Sequence, residues 1–141
     1  MIGYLDTSAF VPLLVAEPSS AACRRFWDDA DAVTSSGLLY VEAAAALSQA
    51  LRLGRLTPKA HRASLTGLDR LWAQVDVVDV DQVTVDRAAA LANRLGLRGY
   101  DAVHCASAEQ LADSDLVAAA GDRQLLDVWR KLGLMTYDSR V

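Results

Sequence analysis

The chain has 141 residues, of which 52% are hydrophobic and 23% charged, and its formal net charge is −4. That size and balance suit one folded domain with a substantial core and exclude a disordered chain. No apolar run approaches the roughly 20 residues that cross a bilayer, and the acidic balance argues against holding nucleic acid by an overall positive field.

Met1 to Phe10, MIGYLDTSAF, reads as a short apolar strand that runs straight into Asp6, followed by the hydroxyls Thr7 and Ser8. Ser8 to Ala16 is expected to be helical until Glu17-Pro18 breaks it, because Pro disfavours helical geometry in the residue before it. A second helix, capped by Ser19 or Ser20, is expected to run to Asp29, and Ala32 to Ser35 is β-like. Leu38 to Leu53 is rich in Ala and Leu and predicts a strong helix that Gly54 ends. Thr57-Pro58 opens the next one with an N-cap and a Pro in the first turn, continuing to about Val75. These two helices form an expected antiparallel hairpin. Val75 to Val80 is β-branched, and a helix from Asp81 or Thr84 ends at Gly96. Tyr100 to Ala112 is helical in spacing, Leu116 to Ala119 a small strand, Asp122 to Leu132 a last helix, and Leu134 to Thr136 an edge strand. The alternation predicts one α/β domain over residues 1–141 with a mainly parallel sheet. With no basic stretch ahead of an apolar one at the N-terminus, the expected location is the cytoplasm. Cys23 and Cys105 show no metal or redox spacing and are expected to be buried thiols.

Four acids stand in unusual contexts. Asp6 ends a strand, where ligands of open α/β sheets gather, although Asp6 or Thr7 can equally cap the next helix. Glu42 sits in YVEAAAAL, with Leu38, Leu39, Ala45 and Ala46 as its neighbours three and four positions away. It therefore lies along an apolar side, where a bare carboxylate is costly. Asp101 opens the helix DAVHCASA, and Asp122 follows an apolar strand and Gly121. Both are also good helix-start residues. Carboxylates brought together repel unless protons or cations lie between them. Hard oxygen donors without a His or Cys pattern favour magnesium or manganese over zinc, and such an ion suits phosphodiester hydrolysis. Ser8 is placed to support an acid.

YLDTSAF, the Glu of VEAAAAL, GYDAVHCASA and GDRQLL fall in the order and spacing of PIN-domain ribonucleases. Over Met1 to Leu134 the chain resembles the VapC-type toxins of bacterial toxin–antitoxin pairs. The resemblance implies a three-layer sandwich whose mainly parallel sheet of four or five short strands is flanked by helices. It also implies that Asp6, Glu42, Asp101 and Asp122 bind Mg2+ or Mn2+, with Ser8 as the supporting hydroxyl. The implied activity is endonucleolytic cleavage of RNA, tRNA or ribosomal RNA among the targets. The implied partners are a small VapB-type antitoxin and a second copy of the chain, with no membrane. One departure stands out: Ala120 occupies a position where the family often has Thr or Ser, two residues before the last acid. Asp127 is a weaker substitute for that acid.

His104 is expected to be packing or to support the acids, and His61 to be at the surface. Arg98 and Arg123 are the first choices for RNA contacts, ahead of Arg24, Arg25, Arg52 and Arg55, since phosphate contacts dominate affinity. Tyr40 and Tyr100 can stack on a base but are expected in the core. Two other readings compete: a non-catalytic binding module on the same fold, and an aspartyl-phosphate domain using Asp6. The second wants a late Lys after a strand, and Lys59 and Lys131 do not stand so.

Overall fold

The computed structural model describes residues 1–141. In chain order the elements are β1 (Ile2–Leu5), α1 (Thr7–Phe10), a 3-10 turn (Val11–Leu13), α2 (Ser20–Asp29), β2 (Ala32–Ser36) and α3 (Leu39–Arg52). There follow α4 (Pro58–Trp72), β3 (Val75–Val78), α5 (Gln82–Leu95), α6 (Gly99–Gln110), β4 (Leu116–Ala120), α7 (Arg123–Lys131) and β5 (Met135–Asp138). The five strands form one sheet of order β3-β2-β1-β4-β5, and every pairing is parallel.

Successive strand residues face opposite sides of a sheet, and here that alternation divides the core in two. Tyr4, Ala118 and Ala120 face α5, α6 and α7, where they pack with Leu91, Cys105 and Trp129. Leu5 and Ala119 face α1 to α4, among Phe10, Phe26, Leu39 and Leu47. The result is the expected three-layer sandwich. Its helix starts follow the local chemistry: Thr57 caps α4 through Ala60 N–H with Pro58 in the first turn, and Asp81 caps α5 through Thr84 N–H. Gly54 (φ 75°) and Gly96 (φ 68°) end α3 and α5 in the left-handed conformation that favours glycine.

Three boundaries differ from expectation. The helix expected over Ser8 to Ala16 is four residues of α1 followed by a 3-10 turn. Pro12 has no N–H to continue an α-helical ladder, so the chain tightens there. α4 stops at Trp72, before Val75 begins β3. β5 runs to Asp138, deeper into the tail than Thr136.

From β1 the chain winds outward through β2 to β3, then crosses back to lay β4 on the other flank of β1. This reversal opens a crevice at the carboxyl ends of β1 and β4, the usual place for a ligand in such sheets. Asp6 directly follows β1, and Gly121-Asp122 directly follow β4.

Candidate active site

Asp6 is 5% exposed. Its carboxylate caps α1, accepting from Ser8 N–H at 3.1 Å and from the Ser8 hydroxyl at 2.5 Å. The Ser8 oxygen in turn accepts from Gly121 N–H at 2.8 Å. One hydroxyl thus ties the start of α1 to the β4–α7 turn. A Cβ on Gly121 would lie 3.2 Å from Ser139 Oγ, a tight contact that a side chain there would relieve only by displacing Ser139 by a few tenths of an ångström.

Glu42 reaches the same crevice from α3. Its Oε1 accepts from the Thr7 hydroxyl at 2.9 Å and lies 2.6 Å from His104 Nε2. That imidazole, on α6, is fully buried and stands 3.7 Å from Asp6 Oδ1. Its other nitrogen meets the Tyr4 hydroxyl at 2.8 Å. Burial pushes the Glu42 carboxyl up, but the His104 hydrogen bond and charge, with the Thr7 hydroxyl, leave it below its ordinary value. Burial pulls His104 down, yet the Glu42 bond and the charges of Asp6, Glu42 and Asp101 leave it above its ordinary value.

Asp101 lies in the first turn of α6, whose N-cap is Arg98, so it does not cap that helix. Its carboxyl is pushed up by burial, then by the charges of Asp122 and Asp6, and only partly drawn back by Arg98 Nε at 3.4 Å. Asp122 does cap its helix, accepting from Leu125 N–H at 2.9 Å. Ala120 is fully buried at the end of β4. The brace at this end of the sheet is therefore the Ser8–Gly121 bond and the helix start, not a hydroxyl two residues ahead.

Asp6 and Glu42 thus meet at one imidazole nitrogen, and Asp101 feels the charges of both Asp6 and Asp122. The donors are oxygens of four carboxylates, in type and charge a match for a hard divalent cation. Their side chains rest on donors of their own chain, and no three acidic, histidine or cysteine side chains close into a cage.

Three open hollows lie around this crevice; Glu42 lines two of them, Asp101 one, and Asp6 and Asp122 none. The first, about 430 Å³, is lined by Arg98, Gly99, Tyr100, Asp101 and Glu42. The second, also about 430 Å³, shares Glu42 and Tyr100 and adds Thr7, Val41 and Arg52. The third, about 390 Å³, shares Thr7 and adds Ser8, Gly121 and Arg140. A larger groove of about 560 Å³, beside Val15, Pro18 and Leu53, has Glu17 as its only acid and none of the acids just described.

Several expectations need correcting or completing. Tyr100 is not in the core: 65% of it is exposed, on the wall between two hollows. Tyr40 is 38% exposed, its hydroxyl on Asp69 and its ring on Trp72. His61 is partly buried on α4. Arg123 is exposed and lines none of the three hollows, and Asp127 pairs at 3.5 Å with Arg130. Cys23 and Cys105 are buried and free, the latter's thiol pushed by burial to about 12. Lys59 lies on α4 and Lys131 at the end of α7, so neither directly follows a strand, where an aspartyl-phosphate site wants its lysine. Thr7 and Arg140 carry contacts that sequence reasoning missed. The signal for Thr7 was its place between Asp6 and Ser8; Arg140 lay in a tail without pattern.

The PIN-domain family model matches residues 3–138. Ribonuclease VapC45 of Mycobacterium tuberculosis is 40% identical over 122 residues, 86% of this chain and 85% of that protein. Among solved structures, the sarcin-ricin-loop-cleaving toxin VapC20 of M. tuberculosis superposes with a TM-score of 0.69 at 20% identity, over 89% of this chain and 94% of that one. VapBC-5 of the same organism, from the VapBC family of toxin–antitoxin systems, gives 0.63 at 19% identity, over 97% and 98%. No helix of the chain is long and apolar enough to cross a membrane.

Proposed function

The chain belongs to the PIN-domain family, and from that premise we propose that it is an endoribonuclease, the toxin of a toxin–antitoxin pair, held inactive by a VapB-type antitoxin. What supports this reading is that Asp6, after β1, and Glu42, on α3, both approach His104 Nε2, while Asp101 on α6 feels the charges of Asp122 and Asp6. The expected place of work is the cytoplasm, with tRNA or ribosomal RNA as substrate class. A homodimer is the expected assembly.

In this proposal the four acids hold Mg2+ or Mn2+. When bound, the ion supplies charge to the scissile phosphate and lowers the pKa of an attacking water. The chain's own residues do the arranging. Ser8 fixes the Asp6 carboxylate by donating to Oδ2, and its oxygen anchors Gly121 so that Asp122 starts α7 beside it. Thr7 and His104 both engage Glu42 Oε1, which fixes the carboxylate's orientation. Arg98 beside Asp101 offers a cation at the rim for phosphate. An antitoxin that silences such an enzyme has to cover this crevice.

The test is cleavage of total RNA by Asp6→Asn and Asp101→Asn, purified alongside the parent. Each substitution removes a charge and keeps the shape, so the expected result is loss of cleavage with an unchanged circular-dichroism spectrum. Cleavage at the parental rate by either variant, with contaminating nuclease excluded, overturns the assignment.

A further inference from the structure

A buried side chain whose polar atoms are all engaged is held in one orientation, because turning it breaks a hydrogen bond that no water replaces. His104 is such a side chain. It is fully buried on α6. Its Nδ1 meets the Tyr4 hydroxyl at 2.8 Å and its Nε2 meets Glu42 Oε1 at 2.6 Å. Tyr4 is fully buried as well, with the imidazole and the Trp129 indole both edge-on to its ring at 6.0 and 5.9 Å between centroids. It stands on β1, which β2 and β4 pair on either side. A line of contacts thus runs from the middle strand of the sheet, through one imidazole, to a carboxylate on a helix of the opposite layer.

The two acids beside that imidazole divide their oxygens alike. Glu42 Oε1 accepts from the Thr7 hydroxyl and from His104, and Oε2 accepts from no donor of the chain. Asp6 Oδ2 accepts from the Ser8 amide and hydroxyl, while Oδ1 accepts from none and lies 3.7 Å from His104 Nε2. We propose that Tyr4 and His104 are positioning residues for the ion: the tyrosine fixes the imidazole, and the imidazole, set between Glu42 and Asp6, fixes the spacing at which the two carboxylates present their free oxygens. The proposal rests on the reading of these acids as ion ligands and adds what spaces them. Spacing matters because a magnesium-sized ion takes oxygens only at about 2.0–2.1 Å and near octahedral angles. Fully buried, with both nitrogens spent, the ring offers no atom of its own to an ion or to RNA.

The experiment measures Mn2+ binding to the EDTA-stripped protein by the paramagnetic resonance signal of the free ion, with a thermal melt on the same samples. The parent is expected to bind Mn2+ and Asp6→Asn to lose it. His104→Asn keeps an amide at the Nδ1 end, toward Tyr4, and nothing for Glu42. It is expected to weaken Mn2+ binding roughly 10- to 100-fold, the range for loss of a partner behind a metal ligand. His104→Gln puts its amide nitrogen near the place of Nε2 and restores most of the affinity. Tyr4→Phe removes the anchor behind the ring and weakens binding in the same direction, by less. Phe26→Leu, a core change on α2 away from the crevice, lowers the melting temperature and leaves Mn2+ binding unchanged, which separates positioning from a general loss of stability. Parental Mn2+ affinity in His104→Asn or in Tyr4→Phe overturns the proposal. So does an equal loss in His104→Gln and His104→Asn, since the imidazole then only fills space. If Asp6→Asn binds Mn2+ like the parent, or the parent binds none, the reading of the acids falls and the positioning with it. If Asp6→Asn loses Mn2+ and the Tyr4 and His104 variants do not weaken it, only the positioning falls.

Discussion

The Tyr4 hydroxyl is buried, and burial first, then the Asp6 charge, keeps its pKa well above the ordinary value. It therefore stays protonated beside His104 Nδ1. In either charge state of the imidazole, Nε2 donates to Glu42 Oε1. Nδ1 accepts from Tyr4 when neutral and donates to the Tyr4 oxygen when charged. Tyr4→Phe keeps the ring, and with it the edge-on packing on Trp129 at 5.9 Å between centroids. It leaves a buried ring nitrogen without a partner, so the predicted loss of stability is about 1–3 kcal/mol. Urea denaturation of the two proteins measures it, and a loss below about 0.5 kcal/mol would mean that the pairing contributes little. At this scale the sequence was partly legible. Glu42 announced itself as a carboxylate on the apolar side of a helix, and its partner had to exist because burial without one is costly. Which partner it was, His104, follows from the fold, which brings Glu42 of α3 and His104 of α6, helices from opposite layers, within one hydrogen bond of each other, and no local pattern encodes that. Tyr100 was expected in the core, yet it stands in the first turn of α6, 65% exposed, on the wall of two hollows.

Packing of α2 on β1 depends on a residue with no side chain. A Cβ at Gly3 would lie 2.8 Å from Phe26 Cε2 and 3.3 Å from Ala30 Cβ. Phe26 is 2% exposed and already packs against Tyr137 at 4.9 Å between centroids, so it has little room to move. Gly3→Ala is therefore predicted to destabilise the fold by about 1–3 kcal/mol through overpacking. Combining it with Phe26→Leu should recover part of that loss, because a smaller side chain opens the space. Additive losses in the double variant's denaturation curve would rule out this clash as the cause. Elements of this kind were readable where local chemistry decides them. The α3–α4 hairpin, with Gly54 and Thr57-Pro58 at its joint, needed nothing beyond its own residues. α1 was harder to read: Pro12 shortens it, although the Pro at residue 18 had looked like the first break. The end of β5 was illegible because its residues are fixed from outside, by pairing of Ala120 with Asp138 and by the Ser139 N–H to Ala120 O bond.

Taken as a whole, the molecule concentrates part of its −4 charge in one crevice, and this makes its stability depend on pH in a definite way. Glu42 is held below its ordinary value, so its contribution is present above about pH 4.5 and is lost as pH falls. Asp138, held to about 2 by the Arg140 guanidinium, acts in the same direction lower down. His104 is held above its ordinary value, so its contribution is complete below about pH 6.5 and is lost as pH rises through the raised value. Asp101, also raised, adds repulsion once it ionises. In protein stripped with EDTA, the melting temperature is thus predicted to peak on the mildly acid side of neutrality and to fall toward pH 8.5. Millimolar Mn2+ should flatten the alkaline fall, because an ion bound only by the folded state stabilises it by mass action and replaces the charge that His104 gives up. Asp6→Asn should melt the same with and without Mn2+. The order β3-β2-β1-β4-β5 was not legible in advance, since neighbouring strands are chosen by long-range packing. Yet the strand-end positions of Asp6 and Asp122 already pointed to the end of the sheet where that charge collects. A melting temperature that does not fall from pH 6.5 to 8.5 in EDTA, or a Mn2+ effect that survives in Asp6→Asn, would show that this crevice does not govern the alkaline side of the profile.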